Sequence, residues 1–150
     1  LFILLNKLFI AIILSIASIK TYANNQIDCL AKAMYFESRG GEAHEQLNVG
    51  HVILNRVESG KFPGSVCGVV ADRKHSIQFP WYYKGRKITD WNTFKEIKIL
   101  ADTLYASYVI GDRVDTTRGS LFFHSRTIDP KWKYRKVALS DSLHYFYKLR

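Results

Sequence analysis

Residues 28–41 read Asp-Cys-Leu-Ala-Lys-Ala-Met-Tyr-Phe-Glu-Ser-Arg-Gly-Gly, and this stretch defines the first element of the domain. The aspartate is a residue type that caps helices, and the apolar side chains after it recur at helical spacing. The paired glycines are typical of a helix end. The stretch therefore predicts a helix that begins at Cys29 and ends at about Arg39, with Asp28 as its cap and Glu37 near its end.

Three more helices are predicted farther along the chain. A broad apolar stripe of helical period covers residues 43–59 and ends at a glycine. A serine can cap a short helix over residues 65–70. A long helix over about residues 91–109 ends at another glycine.

Beyond that helix the apolar pattern changes to the period of two that is typical of strands. Strands are predicted over residues 121–124, 136–139 and 143–147, the last two joined by the turn at residues 140–142. Helices first and strands last predict an α+β class, with a small antiparallel sheet after the N-terminal helices.

Residues 71–90 show no clear period and are rich in aromatic and cationic side chains. A surface loop of this length is more often functional than idle. The run Gln78-Phe79-Pro80-Trp81 within it offers flat aromatic faces and an amide, which suit sugar rings. The alternative is a loop that its own aromatic side chains pin to the core.

Residues 1–23 form a candidate leader: a short basic region, an apolar run and a small residue, Ala23, where cleavage is expected. The alternative is an uncleaved membrane anchor, although the run after Lys7 is short for the roughly 20 residues that a bilayer requires. We therefore expect a signal peptide at 1–23, a catalytic domain at 24–150, and no stable membrane insertion after cleavage.

Composition narrows the partners of this domain. Hydrophobic residues make up 47% and aromatic residues 14% of the 150, which excludes intrinsic disorder. The formal charge of +9 favours an anionic partner. Export argues against nucleic acid and for an anionic polymer of the cell envelope, in the periplasm or outside the cell, while a simple basic surface is the alternative.

The two cysteines and five histidines limit the chemistry. Outside the cytoplasm, Cys29 and Cys67 are expected to form one disulfide, the alternative being two buried thiols. The histidines show none of the spacings of a zinc site, so no metal and no cofactor are expected. Neither a serine nor a cysteine lies in a recognisable nucleophile motif.

Glu37 is the strongest catalytic candidate. A carboxyl among apolar neighbours has a raised pKa, which suits a general acid near neutral pH. The alternative is a solvated glutamate at a helix end. A two-carboxylate hydrolase needs a second acid within about 5–10 Å, for which Asp28, Glu42 and Glu45 are available. In lytic transglycosylation one glutamate suffices, since the C6 hydroxyl of the glycan attacks its own C1.

Several blocks of sequence, in order along almost the whole of residues 28–147, resemble the SleB-type cell wall hydrolases, the spore cortex-lytic enzyme family. They are Cys29-Leu-Ala-Lys-Ala-Met-Tyr-Phe-Glu-Ser-Arg-Gly40, Val52-Ile-Leu-Asn-Arg-Val57, Phe62-Pro63, Val66-Cys-Gly-Val-Val70, Gln78-Phe-Pro-Trp81, Leu121-Phe-Phe-His124, Pro130-Lys-Trp132 and His144-Tyr-Phe-Tyr147.

The resemblance implies a compact lysozyme-like fold, similar to other peptidoglycan transglycosylases, and cleavage between N-acetylmuramic acid (or its δ-lactam) and N-acetylglucosamine. It implies that Glu37 is the catalytic acid. Residues expected to line the cleft are Gln78, Phe79, Trp81 and His124, with Asn55 as a weaker candidate whose alternative role is to hold the second helix.

Two departures from the family pattern matter. The family's second acid falls on Gly41, and Glu42, one residue later, is the candidate to assist in its place. Pro80 replaces a serine and stiffens the aromatic loop.

The sequence therefore predicts an exported, monomeric peptidoglycan lytic transglycosylase without cofactors. Three alternatives remain open: a muramidase that uses water, a zinc amidase that acts on the peptide, and a non-catalytic peptidoglycan-binding protein.

Overall fold

The computed structural model describes residues 2–75, 77–139 and 142–150. Within these ranges the chain forms helices first and strands last, as predicted. The elements are α1 Phe2–Ser38, α2 Ala43–Glu58, α3 Val66–Val70, α4 Pro80–Tyr83, α5 Trp91–Ile110, β1 Phe122–Ser125, β2 Arg135–Val137 and β3 His144–Lys148.

Helix α1 is much longer than predicted, because it continues without a break from the leader into the domain. The prediction that Asp28 caps this helix is wrong. Asp28 lies inside α1 and pairs with Lys98 of α5 at 2.5 Å on the surface. No glycine or proline occurs between residues 20 and 28, so nothing in the local sequence ends the preceding helical turns.

The leader part of α1 stands apart from the domain. Its large apolar side chains between Ile3 and Ile19 are exposed to solvent. By length and composition, the helix from Ile3 to Ser38 is apolar enough to cross a membrane, a property that signal sequences share. This segment is compatible with the predicted signal peptide.

Helix α2 is the centre of the domain, and α1 and α5 pack against it. Gly50 permits this packing, since a Cβ at that position would lie 2.6 Å from Leu104 Cδ2 and 3.2 Å from Met34 Sδ. The buried apolar core that results holds Leu30, Ala33, Met34, Tyr35, Val49, Ile53, Leu54, Phe79, Phe94, Ile97, Ala101 and Leu104, among others.

The predicted disulfide is confirmed. Cys29 of α1 is bonded to Cys67 of α3, with the two Cα atoms 5.3 Å apart. In the chain-entropy model, a cross-link over this separation stabilises the fold by about 4 kcal/mol. The bond fixes the helix that carries Glu37 to the loop segment that precedes the aromatic run.

The stretch 71–90 is mostly irregular, but it contains the short helix α4, which the sequence analysis did not predict. Pro80 begins this helix, and its fixed φ suits the first helical position. The single turn points Trp81 inward, where it is 7% exposed, and leaves Tyr82 46% exposed.

The sheet has the order β1-β3-β2, with both pairs antiparallel. The predicted pairing of the last two strands is confirmed, while the turn residues Ser140 and Asp141 lie outside the described residues. Phe123 pairs with Phe146 across β1 and β3. Phe146 is fully buried, and it packs with Val52 of α2 to join the sheet to the helices.

Candidate active site

Glu37 lies in the last turn of α1 and contacts the aromatic loop directly. Its Oε1 accepts a hydrogen bond of 2.9 Å from the indole nitrogen of Trp81. The ring of Phe36 stacks on the same indole, with centroids 4.7 Å apart. Trp81 of α4 therefore donates a hydrogen bond to the carboxyl group, and its ring forms an apolar surface with that of Phe36.

The surroundings of Glu37 favour its protonated form. Burial raises the pKa of Glu37 above its ordinary value. The hydrogen bond from Trp81 opposes that rise. The positive charges of His144, Arg56 and Arg86 oppose it as well, without cancelling it. A carboxyl of this kind keeps its proton closer to neutral pH, as a general acid requires.

The candidate assisting acid, Glu42, precedes α2 as its N-cap residue. Its side chain is 88% exposed, and one of its carboxylate oxygens lies 3.7 Å from Nδ1 of His44. The structure thus places Glu42 in solvent, where water screens its charge.

A different carboxylate, Glu45, is buried in the first turn of α2. It accepts hydrogen bonds from Ser142 Oγ at 2.5 Å and from the backbone N–H of Leu143 at 3.2 Å. Its other oxygen binds Nδ1 of His144. The sequence analysis named Glu45 only as one of three nearby acids, and position alone could not show that it faces β3.

The aromatic run divides into buried and exposed members. Phe79 is 1% exposed and belongs to the core, where its ring meets that of Trp81 edge-on at 6.1 Å. Trp81 contacts both the core and Glu37. The loop is thus pinned by its own aromatic side chains, and its exposed rings are those that remain available to a ligand.

Gln78 is oriented from within by Arg56. The guanidinium donates from Nη2 to Oε1 of Gln78 at 3.1 Å and from Nε to the carbonyl of Leu121 at 2.7 Å. Burial lowers the pKa of Arg56 to about 10, so the side chain stays cationic at neutral pH.

Arg56 is a residue that the sequence analysis quoted only as part of a motif. It is 1% exposed, and its guanidinium carbon lies 5.2, 5.7 and 5.9 Å from the ring centroids of Phe62, Phe79 and Phe122. An arginine inside the apolar stripe of α2 was the available signal, since such a charge must find partners in the core.

Asn55, the weaker cleft candidate, faces a different part of the molecule. Its amide nitrogen donates to Asp115, Thr117 and the carbonyl of Ser120, at 2.9, 3.1 and 3.0 Å. Its amide oxygen accepts from Arg113 at 2.8 Å. These bonds hold the segment before β1 against α2, which agrees with the alternative role considered for Asn55.

His124 lies on the sheet, within an aromatic cluster. Its Nε2 pairs with the hydroxyl of Tyr147 at 2.9 Å, and its ring meets Trp132 edge-on at 5.2 Å. Strand alternation puts His124 and the core residue Phe123 on opposite faces of the sheet. The described residues give His124 no contact with Glu37.

A cleft of about 580 Å³ is lined in part by Trp81, the hydrogen-bond donor to Glu37, while Glu37 itself is not in the lining. Trp91 and Tyr82 contribute rings that are 58% and 46% exposed, respectively. The full lining is Lys32, Phe36, Trp81, Tyr82, Arg86, Lys87, Ile88 and Trp91. Exposed rings beside cations suit an anionic sugar polymer, and residues from separate stretches form this lining only in the fold.

Among the residues that the structure describes, no three histidines, cysteines, aspartates or glutamates come together as a metal site would need.

A family model described as Cell Wall Hydrolase matches residues 40–147. The chain belongs to the cell wall hydrolase family. The predicted family is thereby confirmed. The match begins three residues after Glu37 and includes the aromatic run, α5 and all of the sheet except Lys148, the last residue of β3.

Among curated relatives, the spore cortex-lytic enzyme of Bacillus cereus (strain ATCC 14579) is 49% identical over 49 residues, 33% of this chain and 19% of that protein. The spore cortex-lytic enzyme of Bacillus subtilis (strain 168) is 47% identical over 49 residues, 33% of this chain and 16% of its own length. The chain thus spans less than a fifth of these relatives.

Solved structures match over a larger share. The catalytic domain of the germination-specific lytic transglycosylase SleB from Bacillus anthracis has a TM-score of 0.62 and 28% identity, covering 83% of this chain and 94% of that one. The catalytic domain of the Bacillus cereus SleB protein has a TM-score of 0.64 and 28% identity, covering 85% and 92%. The predicted lysozyme-like α+β fold is confirmed.

Proposed function

We propose that this family member is an exported lytic transglycosylase that cleaves peptidoglycan glycan strands, with Glu37 as both acid and base. The observation that carries the proposal is the placement of Glu37. Its carboxyl group, with a raised pKa, is held by Trp81, whose ring lines an aromatic and cationic cleft.

In the first step, protonated Glu37 donates its proton to the glycosidic oxygen between N-acetylmuramic acid and N-acetylglucosamine, and the C1–O bond breaks. Because Trp81 binds Oε1, we assign the mobile proton to Oε2. In the second step the C6 hydroxyl of the muramic residue attacks C1, and the Glu37 carboxylate takes the hydroxyl proton. The product carries a 1,6-anhydromuramic end, and Glu37 is again protonated.

The cleft supplies the binding energy for this reaction. Exposed rings at Tyr82 and Trp91 match sugar faces, and the cations of Lys32, Arg86 and Lys87 complement the carboxylates of muramic acid and its peptide. Gln78, oriented by Arg56, adds an amide for sugar hydroxyls.

Transglycosylation is favoured over hydrolysis by water for two reasons. Glu42 is exposed and Glu45 is engaged by β3, so neither is poised beside Glu37 as a second carboxylate that activates water. In addition, the Bacillus anthracis domain of the same fold is itself a lytic transglycosylase.

The deciding experiment treats purified sacculi with the expressed protein and analyses the soluble products by mass spectrometry. Anhydromuramic ends are expected. Reducing muramic ends would mean a muramidase, and stem peptides without glycan cleavage would mean an amidase. Binding without any soluble product would leave a peptidoglycan-binding protein.

The apolar leader supports the export part of the proposal, which needs its own test. Fractionation of producing cells, followed by N-terminal sequencing of the envelope fraction, should give a chain that begins at Asn24. An intact leader in the membrane fraction would mean an anchored protein.

A further inference from the structure

The carboxylate of Glu45 is buried and is surrounded by hydrogen-bond donors. It is 1% exposed, and Ser142, Leu143 and His144 all donate to it from the start of β3. Burial raises its pKa, but these hydrogen bonds outweigh burial and hold the pKa below its ordinary value. Glu45 is therefore a fixed anion that organises this end of the sheet.

The side chain of Glu45 also fills the space beside Gly41. A Cβ at position 41 would lie 2.9 Å from Glu45 Cγ and 3.1 Å from Leu143 Cδ1. Position 41 is where the family pattern has its second acid. In this chain the carboxylate of Glu45, in the first turn of α2, reaches the same region.

His144 connects this anion with the catalytic glutamate. Its ring meets Phe123 edge-on at 5.1 Å, and its side chain is only 10% exposed, so it has little freedom to turn. Its electrostatic effect lowers the pKa of Glu37. With Nδ1 bound to Glu45, the ring has a fixed orientation relative to α2.

We propose that Glu45 is a positioning residue of the transglycosylase reaction, which acts through His144 and supplies from α2 the carboxylate that Gly41 lacks. The inference rests on the proposed role of Glu37. A glutamate that serves first as acid and then as base needs an environment that does not hold it permanently protonated. His144, fixed by Glu45, opposes the effect of burial on the pKa of Glu37.

The charges around Glu37 come from several elements. Arg56 faces it from α2, Arg86 from the segment after α4, and His144 from β3, while Trp81 is its hydrogen-bond donor. Loss of the Glu45 carboxylate frees the ring of His144 alone among these groups, so the electrostatic effect of His144 on Glu37 weakens. The pKa of Glu37 then rises, and the loss of activity at alkaline pH moves to higher pH.

The first test is Glu45→Gln, assayed on soluble glycan strands across the pH range. We expect kcat to fall by roughly tenfold with little change in KM, and the alkaline limb to move upward. His144→Gln should move that limb in the same direction, and it provides the test if Glu45→Gln does not fold. Glu96→Gln, an exposed change of equal charge on α5, should behave as wild type.

The second test exchanges the two positions. Gly41→Glu alone should unfold at a lower temperature, because the new side chain meets Glu45. The double variant Gly41→Glu/Glu45→Gly relieves that clash and returns a carboxylate to the region of His144. Its activity and its alkaline limb should lie closer to wild type than those of Glu45→Gly alone.

A structural role predicts other results. If folded Glu45→Gln loses stability but keeps the wild-type kcat and pH limb, the positioning role is overturned. Recovery of stability without recovery of rate in the double variant would overturn it too. Glu37→Gln separates this failure from that of the proposed function, since undiminished product release by Glu37→Gln would refute the acid itself.

Discussion

Trp81 and Glu37 are joined by a hydrogen bond of 2.9 Å between the indole nitrogen and Oε1, across 44 positions of sequence. The bond connects the last turn of α1 with the one turn of α4. It orients the carboxyl group and stabilises its charged form, against the effect of burial. The acid and the aromatic loop therefore form one unit, and a change in either should alter the other.

Replacement of the acid should separate catalysis from stability. Glu37→Gln removes the proton donor and should abolish product release from sacculi. The folded-state pKa of Glu37 is raised from 4.5, so the native state loses stability as pH rises from that value through the folded-state pKa. The variant should therefore match wild type at about pH 4 and unfold at a higher temperature than wild type at about pH 8. A large loss of stability at both pH values would mean a structural glutamate.

The indole donor can be removed without loss of the ring. Trp81→Phe keeps an aromatic neighbour for Phe36 and deletes the N–H that binds Glu37. The pKa of Glu37 should rise further, because the bond lowers it, and the alkaline limb should move upward. Activity at neutral pH should fall roughly tenfold, the equivalent of one hydrogen bond to a charged group. Trp132→Phe, in the segment before β2, is the matched control, and an equal effect there would contradict this role.

Asn55 should prove structural when it is truncated. Asn55→Ala removes the hydrogen bonds that Asn55 makes with Thr117 and Arg113, which costs about 2–3 kcal/mol of unfolding free energy. Urea unfolding measures that loss, while KM for glycan strands should stay unchanged in the folded protein. A raised KM with unchanged stability would instead make Asn55 a substrate ligand.

Reduction of the disulfide should lower the stability of the domain measurably. Thermal unfolding in dithiothreitol should occur at a lower temperature, and Cys29→Ser/Cys67→Ser should reproduce the shift without responding to the reductant. The loss should be about 4 kcal/mol in the chain-entropy model. An unfolding temperature that does not depend on the reductant would show that the cross-link contributes nothing to stability.

Local patterns in the sequence predicted most elements of the fold. The helices α2 and α5 and the strands were predicted correctly, because each of these elements buries its own apolar face. The predicted start of α1 was wrong. An aspartate is typical of a helix cap, but it can also lie inside a helix, where Asp28 pairs with Lys98. Helix α4 is too short to show a period.

The candidate site was harder to predict, because it depends on long-range contacts. Glu37 could be named as a candidate from its apolar neighbours, and the structure buries its carboxyl group. The separate surroundings of Phe79 and Trp81, two residues apart, follow from the single turn of α4. The engagement of Glu45 by β3, nearly a hundred residues later, has no local signature at all.

The disulfide determines the compartment in which the domain reaches its full stability. The covalent ring that it closes, residues 29–67, contains Glu37, Glu45 and Arg56. In a reducing cytosol that ring is open, and it closes only in an oxidising compartment. For the exported cell wall hydrolase proposed above, the cross-link would form only after export, and the copies still in the cytosol would be the ones most easily unfolded and degraded.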